Sequence, residues 1–482
     1  MNDKVQPRSA QQSLTQNCPG PVTRRTALKL GALGLGGLGL GDIYRLQAEA
    51  ATGSSVSDRS VIFIWLPGGP PHMEMYDLKP NAPSEYRGEF RPIETSVPGM
   101  EVGELLPLHA KSAGKFNIIR SIAHAFGDHG GGHKRFMTGR DPKQPTGFVN
   151  DYPAVPSQIA KVVENRQRGL PNYVCGCDSG RQGIDVFSFG SAYLNSATHP
   201  FTVVGNPAAK DFKIENLAPL PALEARLEDR VDLLAKFDTW RRTADQASTF
   251  DALDEFNRRA LELVTSQKAR RAFDLALEPD SVRDRYGRHA YGQRALMARR
   301  LVEAGCTFVT MVLENPMPGE PLPNYVSYNW DSHAVNCHLF NDAKVRLPRY
   351  DQAITALIED LYARGLDKRV LLVVTGEFGR TPRINYAKGT ANGIMQPGRD
   401  HWPSAMSMIV SGGGMRTGQV IGATNAKGEH PVERTMTPND LWASVLRHLG
   451  INADHTFDDL SGRPMPILPF GQPIPELMPA TA

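Results

Sequence analysis

Five apolar runs rich in β-branched residues constrain the fold of this chain more than any other feature. They occupy residues 61–66, 116–120, 307–313, 370–375 and 406–411, and turn residues bound them. Nearly continuous hydrophobicity over such short runs is typical of strands that helices cover on both faces, as in parallel sheets. The sequence therefore predicts an α/β fold with a mostly parallel central sheet in an α/β/α sandwich.

Helical patterns lie between several of these runs. Residues 350–364 place Ile354, Leu357, Ile358 and Leu361 on one face, and residues 441–449 form a second pattern that Gly450 ends. The segment from about 221 to 304 is nearly free of Gly and Pro and is apolar at helical spacing. We predict that it is a helical insertion without a β-strand between 225 and 300. Residues 51–482 then form one α/β domain with this insertion, although two domains would also fit the length.

The first fifty residues carry the features of an export leader. Arg24 and Arg25 precede a weakly apolar, glycine-rich run over residues 30–40, and Ala48-Glu49-Ala50 supplies the small residues of a cleavage site. This order resembles a twin-arginine (Tat) signal peptide. The glycines also resemble a dinucleotide-binding loop, but that motif follows a hydrophobic strand, whereas polar residues stand here. We therefore expect residues 1–50 to engage the Tat translocase and the protein to work in the periplasm or otherwise outside the cytoplasm.

Charge and hydropathy exclude two classes of partner. The formal net charge of +3 falls to zero without residues 1–50, which hold six Lys or Arg and three Asp or Glu. The basic character thus belongs to the leader and gives no reason to expect nucleic-acid binding. No later segment approaches the roughly 20 apolar residues that a membrane-spanning helix needs. We expect no stable membrane anchor.

Histidines and acidic residues gather in five segments that adjoin the apolar runs. These are His72 and Glu74 after the first run, His124, Asp128, His129 and His133 after the second, Asp331 and His333 before the helix at 350, Glu377 and Arg380 after the run at 370, and Asp400 and His401 before the run at 406. In α/β proteins, functional side chains collect at the carboxyl ends of the strands. Imidazoles and carboxylates bind divalent cations, so the pattern is typical of a hydrolase with one or two metal ions. Each pair alone would be weak evidence; their conjunction carries the hypothesis.

The order of the motifs resembles the bacterial domain-of-unknown-function 1501 family. The motifs are Gly-Gly-Pro-x-His-x-Glu-Met-Tyr-Asp-x-Lys-Pro at 68–80, Arg120-Ser121 with His129, Trp330-Asp331-x-His333, Gly-Glu-Phe-Gly-Arg-Thr-Pro at 376–382 and Gly-Arg-Asp-His at 398–401. That family resembles a branch of the alkaline phosphatase/sulfatase superfamily. The resemblance covers the whole chain after the leader and implies an alkaline phosphatase-like fold.

The superfamily resemblance also suggests roles for individual residues. Counting back from Thr138-Gly139-Arg140 puts His129 at the position of the sulfatase nucleophile, and Glu377 falls on a metal-binding acid. Because no Cys, Ser or Thr stands at 129, we do not expect a formylglycine sulfatase. His129 and Arg380 are the predicted catalytic residues, with His129 as a ligand or a general acid or base. The predicted metal ligands are His72, Glu74, Asp331, His333, Glu377, Asp400 and His401.

Two hypotheses of function follow from these residues. The first is an exported, metal-dependent hydrolase of phosphate or sulfate esters that uses a metal-activated water on a small-molecule or glycan substrate. The cation is divalent, and the sequence leaves Zn, Ca, Mg and Mn open. The second is a non-catalytic or carbohydrate-binding protein that retains the sulfatase-like fold. Convergence of the predicted ligands at one site would distinguish the two.

Overall fold

Eight strands form the central sheet of the computed structural model, which describes residues 58–166, 169–214 and 266–478. We number them β1 Ser60–Trp65, β2 Phe116–Ile122, β3 Tyr173–Cys177, β4 Phe201–Val204, β5 Phe308–Val312, β6 Val370–Thr375, β7 Met406–Gly412 and β8 Val420–Ile421. Their order across the sheet is β8-β2-β7-β6-β1-β5-β3-β4. Every neighbouring pair is parallel except those of β7, which runs antiparallel to β2 and β6.

The mostly parallel sheet confirms the predicted fold class. All five apolar runs are strands, in register across the centre: Ile62 of β1 pairs with Val309 of β5 and Leu372 of β6. Strand β7 is the exception in direction. Because it runs backwards, the segment before it lies at the same edge as the segments that follow β1, β2 and β6.

Side chains of the strands alternate between two cores, as the pleat of a strand requires. In β1, Ile62 and Ile64 pack into one core, while Val61, Phe63 and Trp65 pack into the other. Helices cover both faces of the sheet. On the first lie α3 Pro107–Ser112, α8 Ala290–Glu303 and α9 Leu339–Ala363, and on the second lie α4 His129–Thr138, α5 Val155–Val162 and α10 Pro438–Leu449. The result is a three-layer α/β/α sandwich.

The ends of α10 show how local sequence sets the boundaries. At the start, the Asp440 carboxylate accepts a hydrogen bond from the Thr437 backbone N–H at 2.8 Å, and Pro438 occupies the first turn, where no N–H partner is needed. At the end, Gly450 adopts φ of 72°, the left-handed conformation that glycine permits. The predicted stop at Gly450 is therefore the helix end, and the helix begins three residues before the predicted pattern.

Shorter helices and two-stranded ribbons lie between these elements. The helices are α1 His72–Met75, α2 Ser84–Arg87, α6 Gln267–Phe273 and α7 Asp280–Tyr286. Five two-stranded ribbons pair Pro92–Glu94 with Glu101–Gly103, Gly379–Arg380 with His401–Trp402, Asn385–Lys388 with Met395–Gly398, Ala423–Thr424 with Pro431–Glu433, and Thr456–Asp458 with Pro464–Pro466. The ribbon of Gly379–Arg380 with His401–Trp402 joins the segments after β6 and before β7.

Two sequence predictions fall wholly or partly outside the described residues. The leader at 1–50 lies outside them. Of the segment 221–304, residues 266–304 are described; they carry α6, α7 and α8 and contain no strand. Within the described ranges, no helix has both the length and the apolar character needed to cross a membrane.

Candidate metal centre

The carboxyl ends of β1, β2 and β6 and the start of β7 meet at one edge of the sheet. The segment after β2 enters α4, the segment after β6 carries Glu377 and Arg380, and the segment before β7 carries Asp400 and His401. The stretch between β5 and α9 brings Asp331 and His333 to the same edge, because the Trp330 backbone N–H donates to Pro67 O just after β1 at 2.9 Å.

One carboxylate oxygen, Asp331 Oδ1, is the centre of a cluster of imidazoles. His333 Nε2 lies 3.1 Å from it, His401 Nε2 lies 3.2 Å and His129 Nε2 lies 3.4 Å. The Nε2 atoms of His333 and His401 are themselves 2.9 Å apart. Ligand atoms around a tetrahedral zinc ion, at about 2.0–2.2 Å from the metal, are separated by roughly 3.3–3.6 Å. The distances from Asp331 Oδ1 to the three Nε2 atoms are therefore close to those between the ligands of one ion.

The opposite ring nitrogen of each histidine meets an oxygen acceptor. His129 Nδ1 lies 2.8 Å from Glu377 Oε1, His333 Nδ1 lies 2.6 Å from Asp400 Oδ1, and His401 Nδ1 lies 2.6 Å from Gly127 O. In a neutral ring such an acceptor places the proton on Nδ1, so that Nε2 is the atom that can bind a cation. Metal-binding histidines are oriented by such partners.

Helix α4 positions His129 at the cluster. Its N-cap, Asp128, accepts hydrogen bonds from the backbone N–H groups of Gly130 and Gly131 at 2.9 and 3.3 Å. A Cβ at Gly130 would collide with the carbonyl oxygen of Gly147, and one at Gly131 would collide with that of Pro145. The glycines after His129 are thus required because the 145–147 segment packs directly on this turn.

The guanidinium of Arg380 contacts the Asp331 carboxylate from the protein interior. It is fully buried, and its Nη2 lies 2.5 Å from Asp331 Oδ1. The same guanidinium donates to the carbonyl oxygens of Gly68, Gly69, Trp330 and Arg399. The bond to Gly68 O ties the end of β1 to the site, and Gly68 N also donates to Glu377 Oε1 at 2.8 Å. Because Arg380 has no exposed surface, it can orient Asp331 but cannot contact a substrate directly.

The charges of the cluster reinforce one another. Burial alone would lower the pKa of His129, but its hydrogen bonds to Asp331 and Glu377 and their charges raise that pKa to about 9. Burial would raise the pKa of Asp331, yet hydrogen bonds from His129, His333 and His401 and the charge of Arg380 hold it far below its usual range. The pKa of buried Glu377 is likewise lowered, by the charge of His133 and the hydrogen bond from His129. Both carboxylates are therefore ionised at neutral pH and available to a cation.

The structure brings most of the predicted site residues together and separates two of them. His129, Asp331, His333, Glu377, Asp400 and His401 share the contacts above, with Arg380 directly beneath. Glu74 instead forms a buried ion pair with Arg399, with Arg399 Nη2 2.7 Å from Glu74 Oε1. His72 is also buried, its Nδ1 accepts from the Arg380 N–H at 3.3 Å, and burial lowers its pKa to about 4.

Two residues of the region were absent from the predicted catalytic residues and metal ligands, although His133 was among the histidines noted after the second run. His133 lies one turn after His129 on α4, and its Nε2 is 3.4 Å from Glu377 Oε1. The i, i+4 spacing of the two histidines could have revealed this, since it places both on one helix face. Arg399 precedes Asp400 in the same motif, but nothing in the motif indicates that this arginine is buried.

The donor atoms fit a divalent cation. Two groups, His129 with Asp331 and His401, and His129 with His133 and Glu377, each have ligand atoms within 4.8 Å of one another. Glu377 Oε2 is buried and has no hydrogen-bond partner among the described residues. A buried oxygen without a partner destabilises the folded state unless a cation or water contacts it. The side chains of His129, His333, His401 and Asp331 remain 17–27% exposed, so the cluster is accessible from solvent.

Fold and cluster together define an α/β protein with a candidate metal centre at the carboxyl edge of its sheet. A family model matches residues 58–478, and its description is "Protein of unknown function (DUF1501)". The chain belongs to this family, as the motifs indicated. A comparison with curated proteins finds no match.

Solved structures similar to this chain include three hydrolases. An alkaline phosphatase from the Antarctic bacterium TAB5 is 10% identical, with 82% of this chain and 98% of that chain covered and a TM-score of 0.34. A phosphonate monoester hydrolase from Silicibacter pomeroyi is 12% identical (82% and 74% covered, TM-score 0.34). A sulfatase from Pseudoalteromonas sp. is 11% identical (85% and 70% covered, TM-score 0.31). Such distant similarities carry no inference about reaction or substrate.

Proposed function

We propose that this protein is a metal-dependent hydrolase of phosphate or sulfate esters. The observation that carries the proposal is the convergence of three imidazole Nε2 atoms on Asp331 Oδ1, with every Nδ1 held by an acceptor. With an acceptor at Nδ1, each ring can offer its Nε2 atom to a cation, and the ionised Asp331 carboxylate supplies the negative charge that a cation attracts. A small-molecule or glycan ester is the proposed substrate.

The contacts support two different roles among the predicted ligands: some would bind the cation and others orient the ligating histidines. His129, Asp331, His333 and His401 would hold the cation through Nε2 and Oδ1, whereas Glu377 and Asp400 orient His129 and His333 through their Nδ1 atoms. A donor set rich in imidazole favours Zn over Ca or Mg. When bound, such a cation supplies Lewis acidity and lowers the pKa of a water that it coordinates.

The chain's own residues would prepare the site for hydrolysis. Arg380 fixes the direction of the Asp331 carboxylate, and Asp400 Oδ2 is anchored by Asn385 Nδ2 at 2.9 Å. The resemblance to sulfatases puts His129 at the position of their nucleophile. Because His129 offers no hydroxyl or thiol, water would be the attacking group. Asp400, whose side chain is 49% exposed, meets His333 Nδ1 and so holds that ring with Nε2 towards Asp331.

Replacing His401 with Ala tests the proposal. We expect bound divalent cation to fall together with hydrolysis of 4-nitrophenyl phosphate or 4-nitrophenyl sulfate, by about 100-fold or more, because a direct ligand should matter more than an outer partner. Metal content is measured by mass spectrometry of the purified protein. His455→Ala, which changes an exposed histidine outside the cluster, is the matched control. Bound cation without hydrolysis of any ester would favour a non-catalytic or carbohydrate-binding protein.

We further propose that the protein works after export through the Tat pathway. The paired Arg24 and Arg25, the apolar run and the small residues at 48–50 support this. Replacing both arginines with Lys should leave the full-length precursor in the cytoplasm, because the translocase reads that pair. Cell fractionation with an antibody against the protein measures it. Unchanged export of the double-lysine variant would exclude the Tat route.

A further inference from the structure

A second charged cluster lies at the same edge of the sheet, beyond β3 and β5. Asp178 follows β3 and Glu314 follows β5, and both carboxylates are buried. Asp178 Oδ1 lies 2.5 Å from Arg294 Nη2, and its Oδ2 accepts from the hydroxyl of Tyr328 at 3.2 Å. Asp178 is thus fully paired inside the protein.

Glu314 is paired much less tightly. Among the described residues, its carboxylate has one hydrogen-bonding partner, Arg181, at 3.2 and 3.4 Å from Nη2 and Nε. Burial and the nearby charge of Asp178 raise the pKa of Glu314 to about 7, against the lowering effect of Arg181. The negative charge available to neutralise Arg181 is therefore weak.

Arg181 keeps the capacity to bind an anion. Its side chain is 37% exposed, and Nη1 has no protein acceptor within the described part of the chain. The guanidinium carbon lies over the ring of Phe187, 5.2 Å from its centroid, in a cation–π contact. A planar guanidinium with free donors is suited to bind the oxygens of a phosphate, sulfate or carboxylate.

Contacts link Arg181 to the candidate metal centre. The Phe187 ring that carries Arg181 lies 6.0 Å from the ring of His133, centroid to centroid, and His133 contacts Glu377. From the other side, Tyr328 stands three residues before Asp331 and bonds to Asp178. One aromatic ring therefore separates the exposed guanidinium from the residues around the cluster.

We propose that Arg181 is a specificity-determining residue that binds a second oxyanion of the substrate. This inference rests on the proposed function, in which the ester group itself lies at the Asp331 cluster. It names the substrate class: esters that carry another phosphate, sulfate or carboxylate group on the same molecule. Arg181 binds that group and takes no part in bond cleavage.

The test compares alkyl monophosphates with a series of α,ω-alkane bisphosphates of two to eight methylenes, by calorimetry on the metal-loaded protein. We expect at least one bisphosphate to bind about tenfold or more tightly than its monophosphate, the size of one charge-assisted contact. Because Arg181→Gln alone would leave Glu314 buried and unpaired, the variant is Arg181→Gln with Glu314→Gln. This double variant should bind monophosphates with unchanged affinity and should no longer bind any bisphosphate more tightly than its monophosphate.

Arg285→Gln is the matched control. Arg285 is also a half-exposed arginine over an aromatic ring, that of Tyr286, and it pairs with a buried carboxylate, Asp360. Asp360 lies near the end of α9, which leads to the start of β6. The candidate metal centre lies beyond the other end of β6, and a six-residue strand is roughly 20 Å long. The Arg285→Gln variant should still bind the bisphosphate more tightly than its monophosphate. Two results overturn this inference and leave the proposed function standing. In the first, the double variant still binds a bisphosphate more tightly than its monophosphate. In the second, the unsubstituted protein binds both cation and monophosphate, but no bisphosphate binds more tightly than its monophosphate. Absence of any bound cation overturns the proposed function, and this inference with it.

Discussion

Replacing Asp331 with Asn will remove the bound cation and lower ester hydrolysis by more than about 100-fold. The asparagine keeps the shape of the side chain and an oxygen for Arg380, so the fold should persist. What it loses is the negative charge on the oxygen that lies within 3.4 Å of the Nε2 atoms of His129, His333 and His401. A cation held mainly by neutral imidazoles is bound much more weakly than one that also has a carboxylate. Metal content and hydrolysis are measured on the same preparation.

Asp400→Asn separates a ligand from an orienting residue. Asp400 Oδ1 meets His333 Nδ1 at 2.6 Å, on the side of the ring away from Asp331. Loss of such an outer partner typically costs about 10–100-fold in metal affinity, so this variant should still fill its site at saturating cation. If the Asp331→Asn variant retains a full complement of cation, the centre is not built around Asp331. If both variants lose it equally, Asp400 is itself a ligand, as the sequence predicted.

The hydrophobic runs were sufficient to predict the centre of the sheet. The predicted strand at 61–66 differs from β1 by one residue at each end, and the run at 370–375 matches β6. Strands β3, β4 and β8 were missed, because Tyr173–Cys177 contains a glycine and two cysteines, Phe201–Val204 has only four residues and Val420–Ile421 has two. The direction of β7 could not be read from its composition, since a strand buried on both faces has the same residues whichever way it runs.

The sequence could indicate which segments meet but not which atoms face each other. Residues that adjoin strand ends lie at one edge of the sheet, and these include Asp400 and His401, which precede an antiparallel strand. The distinction between Asp331, which faces three Nε2 atoms, and Asp400, which faces one Nδ1, depends on ring orientations that no spacing encodes. Glu74 illustrates the same limit, because its partner Arg399 is 325 residues away along the chain.

Removal of Arg399 should destabilise the fold strongly. Arg399 and Glu74 are at most 1% exposed, and two guanidinium nitrogens bond the carboxylate, with Nη2 at 2.7 Å and Nε at 3.0 Å from Oε1. Arg399→Met leaves that carboxylate buried without its counter-ion, a change that costs about 3–5 kcal/mol in the free energy of unfolding. Arg399 also donates to the carbonyl oxygens of Thr381, Pro382 and Tyr86, which lose their donor as well. Denaturant titration of the purified protein measures the loss.

The pH dependence of the lost stability shows whether the unpaired Glu74 carboxylate causes it. Burial already raises the pKa of Glu74, and the charge and hydrogen bonds of Arg399 oppose this. Without Arg399 the pKa in the folded state rises further above the unfolded value of about 4.3. The folded variant then binds a proton that the unfolded chain releases, so its stability falls as pH rises above that value. The deficit relative to the unsubstituted protein should be larger at pH 8 than at pH 5.

A second substitution distinguishes the buried ion pair from the predicted ligand role of Glu74. In Glu74→Met with Arg399→Met no charge is left behind, so we expect the double variant to recover part of the lost stability and its deficit not to grow between pH 5 and pH 8. The part that is not recovered belongs to the three carbonyl oxygens. Because Glu74 contacts Arg399 rather than the Asp331 cluster, the double variant should still bind its cation. If cation binding disappears while the free energy of unfolding is unchanged, Glu74 is a ligand and the ion pair is incidental.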